Sequence, residues 1–133
     1  MPKEITSQRQ IIAKVIYSHE WRDGLSFFSD NNDYVQVGTW KYNGGKELLP
    51  HIHNEVSREV QRTQEVIYVR KGKLRAKIFT LDGKRVEEFD VAAGDTVILL
   101  NCGHGYDILE DGTEVLEVKN GPYLGAEVDR RRI

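Results

Sequence analysis

The chain is poor in the features that would decide its class at a glance. It has one cysteine, Cys102, so no disulfide can form within it. Lys and Arg number 19 against 21 Asp and Glu, a formal net charge of −2, and no long basic run occurs before Arg130-Arg131-Arg132. That balance excludes nucleic acid as the expected main partner. No span of about 20 apolar residues and no basic-then-apolar leader is present, so no membrane partner is expected and the setting is read as soluble, reducing and cytoplasmic. There is no low-complexity tract, no internal domain boundary and no convincing long amphipathic helix.

What remains, 133 residues and 15.3 kDa, reads as one domain spanning residues 1–133. A chain of this size buries roughly 65–70% of the surface its unfolded form exposes, so folding needs no metal. Residues 1–10 are polar and read as a loose start. Strands are expected over residues 11–17, which are rich in β-branched side chains, over 25–28, and over 34–42, where residues alternate in character. Further strands are expected from Glu65 to Gly72 and over 74–81, 86–91, 96–100, 104–109 and 113–118. Asn43-Gly44-Gly45, Asp82-Gly83 and Asp111-Gly112 supply turn signals. The pattern is that of an all-β sandwich or barrel.

Three of the four histidines, His51, His53 and His104, fall inside β-type segments. Side chains two apart on a strand share a face, so His51 and His53 can point at one atom. The same parity puts Glu65 with Ile67 and Val69, and His104 with Tyr106 and Ile108. Two imidazoles, a carboxylate and a third imidazole from separate strands would enclose one divalent transition metal, Fe, Mn, Ni or Zn, and leave positions open for water or substrate. Glu55 and Glu59 compete with Glu65 as the carboxylate, though neither is followed by a strand and a glycine. His19 lies in a polar loop and reads as an ordinary histidine. Cys102 is a fifth ligand, a redox-sensitive thiol or a small buried hydrophobe. Trp40 and Tyr42 read as core aromatics.

Gly45-x5-His51-x-His53, then Glu65-x6-Gly72, then Gly94-Asp95-Thr96-Val97-Ile98-Leu99 leading to His104-Gly105-Tyr106, together resemble the two conserved motifs of the cupin superfamily. The resemblance covers about residues 34–118. It implies a double-stranded β-helix, or jelly-roll, barrel in which His51, His53, Glu65 and His104 bind a divalent metal, and it implies a homodimer. Two departures stand out. Residues 54–64 replace a much shorter spacer, and Leu100-Asn101-Cys102-Gly103 stands where a longer Pro-x-Gly turn is usual.

The 54–64 insertion places Val56 and Val60, Glu55 and Glu59, and Arg58 and Arg62 four apart, the spacing of a helical turn or two. Joining the strand of His53 to that of Glu65, it is expected beside the barrel mouth, as a lid whose Arg58 and Arg62 hold an anionic substrate or as a solvated loop. Tyr106 is the aromatic assigned to the site. Residues 120–133 are read as a tail, with Arg130–Arg132 as a solvated end or an intersubunit contact, and the apolar residues 11–17 as an edge where a second copy could pair.

Three functions stay open at this level: a metal-dependent enzyme acting on a small polar or anionic metabolite, a metal-independent sugar-nucleotide isomerase or epimerase using His51 or His53 as acid or base, and a small-ligand-binding module without turnover.

Overall fold

In a computed structural model of the protein, residues 2–133 are described. Among them the chain forms ten strands: β1 (Lys3–Ser7), β2 (Gln10–Ile16), β3 (Gly24–Phe27), β4 (Gly38–Lys41), β5 (Glu65–Lys71), β6 (Lys73–Phe79), β7 (Arg85–Ala92), β8 (Thr96–Leu99), β9 (Gly103–Ile108) and β10 (Glu114–Lys119). A single short helix, α1 (Ala126–Asp129), follows. All the strand pairs are antiparallel, and they make a five-stranded sheet ordered β1-β2-β8-β5-β10, a three-stranded sheet ordered β7-β6-β9 and a two-stranded ribbon of β3 and β4. None of the three closes into a barrel.

From β5 onward the chain crosses repeatedly between the two larger sheets, and their facing surfaces enclose one core. Ala13, Val15, Ile67, Val69, Val97 and Leu99 come from the five-stranded side, and Leu74, Ala76, Ile78, Phe89 and Val91 from the other. Period-2 alternation explains the choice: β6 buries Leu74, Ala76 and Ile78 and leaves the residues between them half-exposed. The strand β8 is buried along its whole length because its outer face is covered as well. There Ile16, Ile98 and Leu100 pack with Phe28, which the segment after β3 lays over them.

The start of the chain departs from the reading of residues 1–10 as loose. β1 and β2 form a hairpin whose turn residues, Gln8 and Arg9, take positive φ of 49° and 65°. Such a turn normally advertises itself with Asn or Gly, and this one does not. The hairpin also removes the edge assigned to residues 11–17, because β2 lies between β1 and β8 and has no free side. Of the strand expected over 34–42 only Gly38–Lys41 forms.

Residues 42–64 carry no regular strand or helix, so the helical spacing of the 54–64 insertion is not realised. Leu49, Ile52 and Val56 are exposed there.

Candidate functional site

β5 begins with its first side chain turned toward the core. Glu65 is 4% exposed and lies on the face of Ile67 and Val69, as strand parity requires. Neighbouring contacts fix this start: the Gln64 backbone N–H donates to Asn120 Oδ1 at 2.7 Å, and Gln64 Oε1 accepts from the Tyr34 and Val35 N–H groups at 2.8 and 3.0 Å.

On the opposing sheet β9 pairs with β6 so that His104 stands opposite Ile78 and Tyr106 opposite Ala76. Directly opposed residues share a face, so both rings turn toward the core, as their spacing in the sequence predicts. His104 Nε2 reaches Glu65 Oε2 at 3.0 Å and bridges the two sheets. Glu65 Oε1, by contrast, is buried with no standing donor. Burial pushes the Glu65 carboxyl up, but hydrogen bonds from His104 and Glu117 and the charges of His104 and Lys119 outweigh it and hold the group below its ordinary range.

Around this pair is a cavity of about 120 Å³ lined by Thr63, Glu65, Cys102, His104, Glu117, Lys119, Asp129 and Arg130, with Leu99 and Leu100. Sequence reasoning passed over Glu117 and Lys119. The signal was there, because β10 pairs Glu117 with Ile67 and Lys119 with Glu65 and so sets both on the inward face. Hydrogen bonding to Glu65, then burial, push the Glu117 carboxyl above its ordinary range, so the two acids share a proton. Lys119 Nζ lies 3.6 Å from Glu117 Oε2. The Thr63 hydroxyl donates to Asp129 Oδ1, which holds α1 at the rim.

Two groups near the pair are shaped by burial. The Cys102 thiol is pushed up to about 12, with the Glu65 charge adding to the shift. That suits a small buried hydrophobe better than a reactive thiol. Tyr106 packs on the core with its ring 5.5 Å from that of His104; its hydroxyl is buried without a partner, and burial followed by the Glu65 charge raises its pKa.

His51 and His53 lie elsewhere. Both are exposed, on the irregular chain rather than on a strand. Their rings nevertheless meet edge to face, with Nε2 atoms 3.3 Å apart. Two nitrogens at that distance share either a proton or a cation, since ligands about 2.0–2.1 Å from a tetrahedral ion stand about 3.3–3.4 Å apart.

The four residues singled out in the sequence therefore stand as two pairs. Among the described residues no three His, Cys, Asp or Glu side chains are grouped closely enough to hold one ion. Glu55 and Glu59 are exposed, and Glu65 alone of the three acids faces the interior. Arg58 folds back on its own chain, with Nη1 3.5 Å from Val56 O. Arg62 lines a separate surface cavity beside Asn120 and Pro122. Neither lines the cavity of Glu65 and His104.

No family model, no curated protein and no solved structure matches this chain.

Proposed function

We propose that the protein is a cupin-type jelly roll that binds one divalent transition metal and uses it on a small anionic metabolite. The observation that carries this reading is Glu65 Oε1, a carboxylate oxygen sunk in the core beside an imidazole with no standing donor of its own. An uncompensated buried carboxylate oxygen is costly, and a cation offsets that cost. The crossing of the chain between two facing antiparallel sheets supports the jelly-roll part of the reading.

Glu65 and His104 supply the interior half of the ligand set, and His51 and His53 the other half. The second pair sits on chain that no ladder holds in place: among the described residues, 47–61 make no hydrogen bond to either sheet. A bound ion would act as a Lewis acid or hold dioxygen. The protein's own part is to keep Glu65 ionised, to orient the His104 ring through Oε2, and to present Lys119 and Arg130 at the rim to a negative group. A homodimer belongs to the same reading and is supported by the exposed Leu49, Ile52 and Val56; light scattering on the purified chain tests it.

Elemental analysis and zinc or manganese titration of the full chain test the metal. The expected result is about one ion per chain, with affinity falling at least about tenfold in Glu65→Gln and equally in His51→Ala/His53→Ala. Absence of any ion after expression in metal-supplemented medium, with no titratable binding, overturns it.

A second reading rests on the 3.0 Å contact itself. His104, oriented by Glu65, acts as a general acid or base without metal. In that case the proton-transfer role assigned in the sequence to His51 or His53 passes to His104. Catalysis by metal-free protein that is lost in His104→Gln distinguishes it.

A further inference from the structure

Residues 130–133 do not stand away from the fold. Arg131 Nη2 donates to the Leu81 carbonyl at 2.8 Å, and the Arg130 N–H to that of Ala126 at 3.1 Å. Ile133 lies against β9, where a Cβ added to Gly103 would come 2.9 Å from its Cδ1. The run of arginines that reads in the sequence as a solvated end or an intersubunit contact is thus folded back over the protein's own surface.

It lines a cavity of about 220 Å³ together with His104, Thr80 and Cys102. No Asp or Glu side chain lines this cavity, and Arg130 and Arg132 make no ion pair among the described residues. Both Arg130 and His104 also line the neighbouring cavity of Glu65, so the two hollows are contiguous. Three guanidinium groups converging without a neutralising side chain repel one another, and a bound anion removes that repulsion. Guanidinium forks match phosphate oxygens in pairs. The volume falls short of the roughly 300–1,000 Å³ of a typical small-molecule site, so it fits a compact charged head rather than a whole large ligand.

We propose that Arg130, Arg131 and Arg132 form a phosphate-binding subsite beside His104, and that the metabolite is a phosphorylated small molecule whose remainder extends toward Glu65. The charge argues for a phosphoryl group over a monocarboxylate, because more than one unpaired guanidinium is present. This inference deepens the anionic-metabolite half of the proposed function and rests on that half, not on the ion.

Calorimetric titration of the full-length chain with inorganic phosphate tests it, with acetate as the comparison anion. Phosphate is expected to bind saturably and acetate not at all. Arg130→Gln/Arg132→Gln, which spares the Leu81 contact of Arg131, is expected to weaken phosphate about tenfold or more, whereas Arg58→Gln/Arg62→Gln leaves it unchanged. Glu65→Gln is expected to keep phosphate while losing the ion. The subsite is overturned by no saturable phosphate binding, by acetate binding equally well, by an unaffected Arg130/Arg132 variant, by an equal loss in the Arg58/Arg62 variant, or by a loss in Glu65→Gln that would put the anion on the metal. Phosphate binding that follows Arg130 and Arg132 in a chain that takes up no metal sinks the metal reading alone.

Discussion

His104 and Glu65, one on β9 and the other at the start of β5, meet at 3.0 Å across the gap between the three-stranded and five-stranded sheets. Because Glu65 is buried and His104 only about one-third exposed, removing the imidazole strands a carboxylate in the core. His104→Ala is expected to cost about 1–3 kcal/mol in metal-free protein, less than for a fully buried pair because water reaches the ring. Urea unfolding measures it. The Glu65→Gln/His104→Ala double variant should lose less than the sum of the singles, and strict additivity would mean that the contact carries no coupling.

Much of the frame was legible in the residues. β6 through β10 alternate cleanly and are bounded by Asp82-Gly83, Gly94 and Asp111-Gly112, so their positions and inward faces follow from a period of two. The inward turn of Glu65 and His104 followed with them. Less was legible where local signals are weak or tertiary context overrides them. β1 has one buried apolar residue, Ile5, and a turn without Asn or Gly, so it reads as polar coil. His51 and His53 were placed on a strand that has no partner to pair with. The cavity residues Asp129 and Arg130 come from a segment whose docking depends on Thr63 and Leu81, far away in sequence.

The link between β5 and β6 offers a direct test of backbone geometry. Gly72 has φ of +86°, and an added Cβ would lie 2.4 Å from Thr113 Oγ1 and 2.8 Å from Thr113 Cα. The second contact is backbone, which a rotamer change cannot relieve. Gly72→Ala is therefore expected to destabilise by about 1–3 kcal/mol through strain and clash together. Pairing it with Thr113→Gly leaves the φ penalty and should restore only part of the loss in chemical denaturation.

Removing metal should leave the fold standing. The core between the sheets is built from Ile67, Val69, Leu74, Ile78, Val91 and Val97, all buried, and it owes nothing to a ligand. Chelator-treated protein is expected to keep its β-type circular dichroism and a cooperative melt, at a lower midpoint than the loaded form. Ile78→Ala, in contrast, should cost about 2–5 kcal/mol with or without metal. Loss of the cooperative transition on chelation would mean that the ion, not the apolar layer, organises the sheets.

Acid should expose the two acids of the cavity with opposite signs in metal-free protein. Glu65 has its folded pKa held below the model-peptide value of 4.5, so its contribution is fully present above pH 4.5 and is lost as pH falls through the folded value. Glu117 is shifted the other way, so its ionisation removes stability as pH rises from about 4.5 through its higher folded value. Glu65→Gln is accordingly expected to flatten the acid side of a plot of melting temperature against pH. Glu117→Gln keeps a donor for Glu65 and removes the facing charge, so it should raise stability at pH 7, by no more than the about 0–1 kcal/mol of half-exposed charge pairs. At pH 3, where Glu117 is protonated anyway, that gain should vanish. A gain of the same size at both pH values would assign it to packing and refute the shared proton.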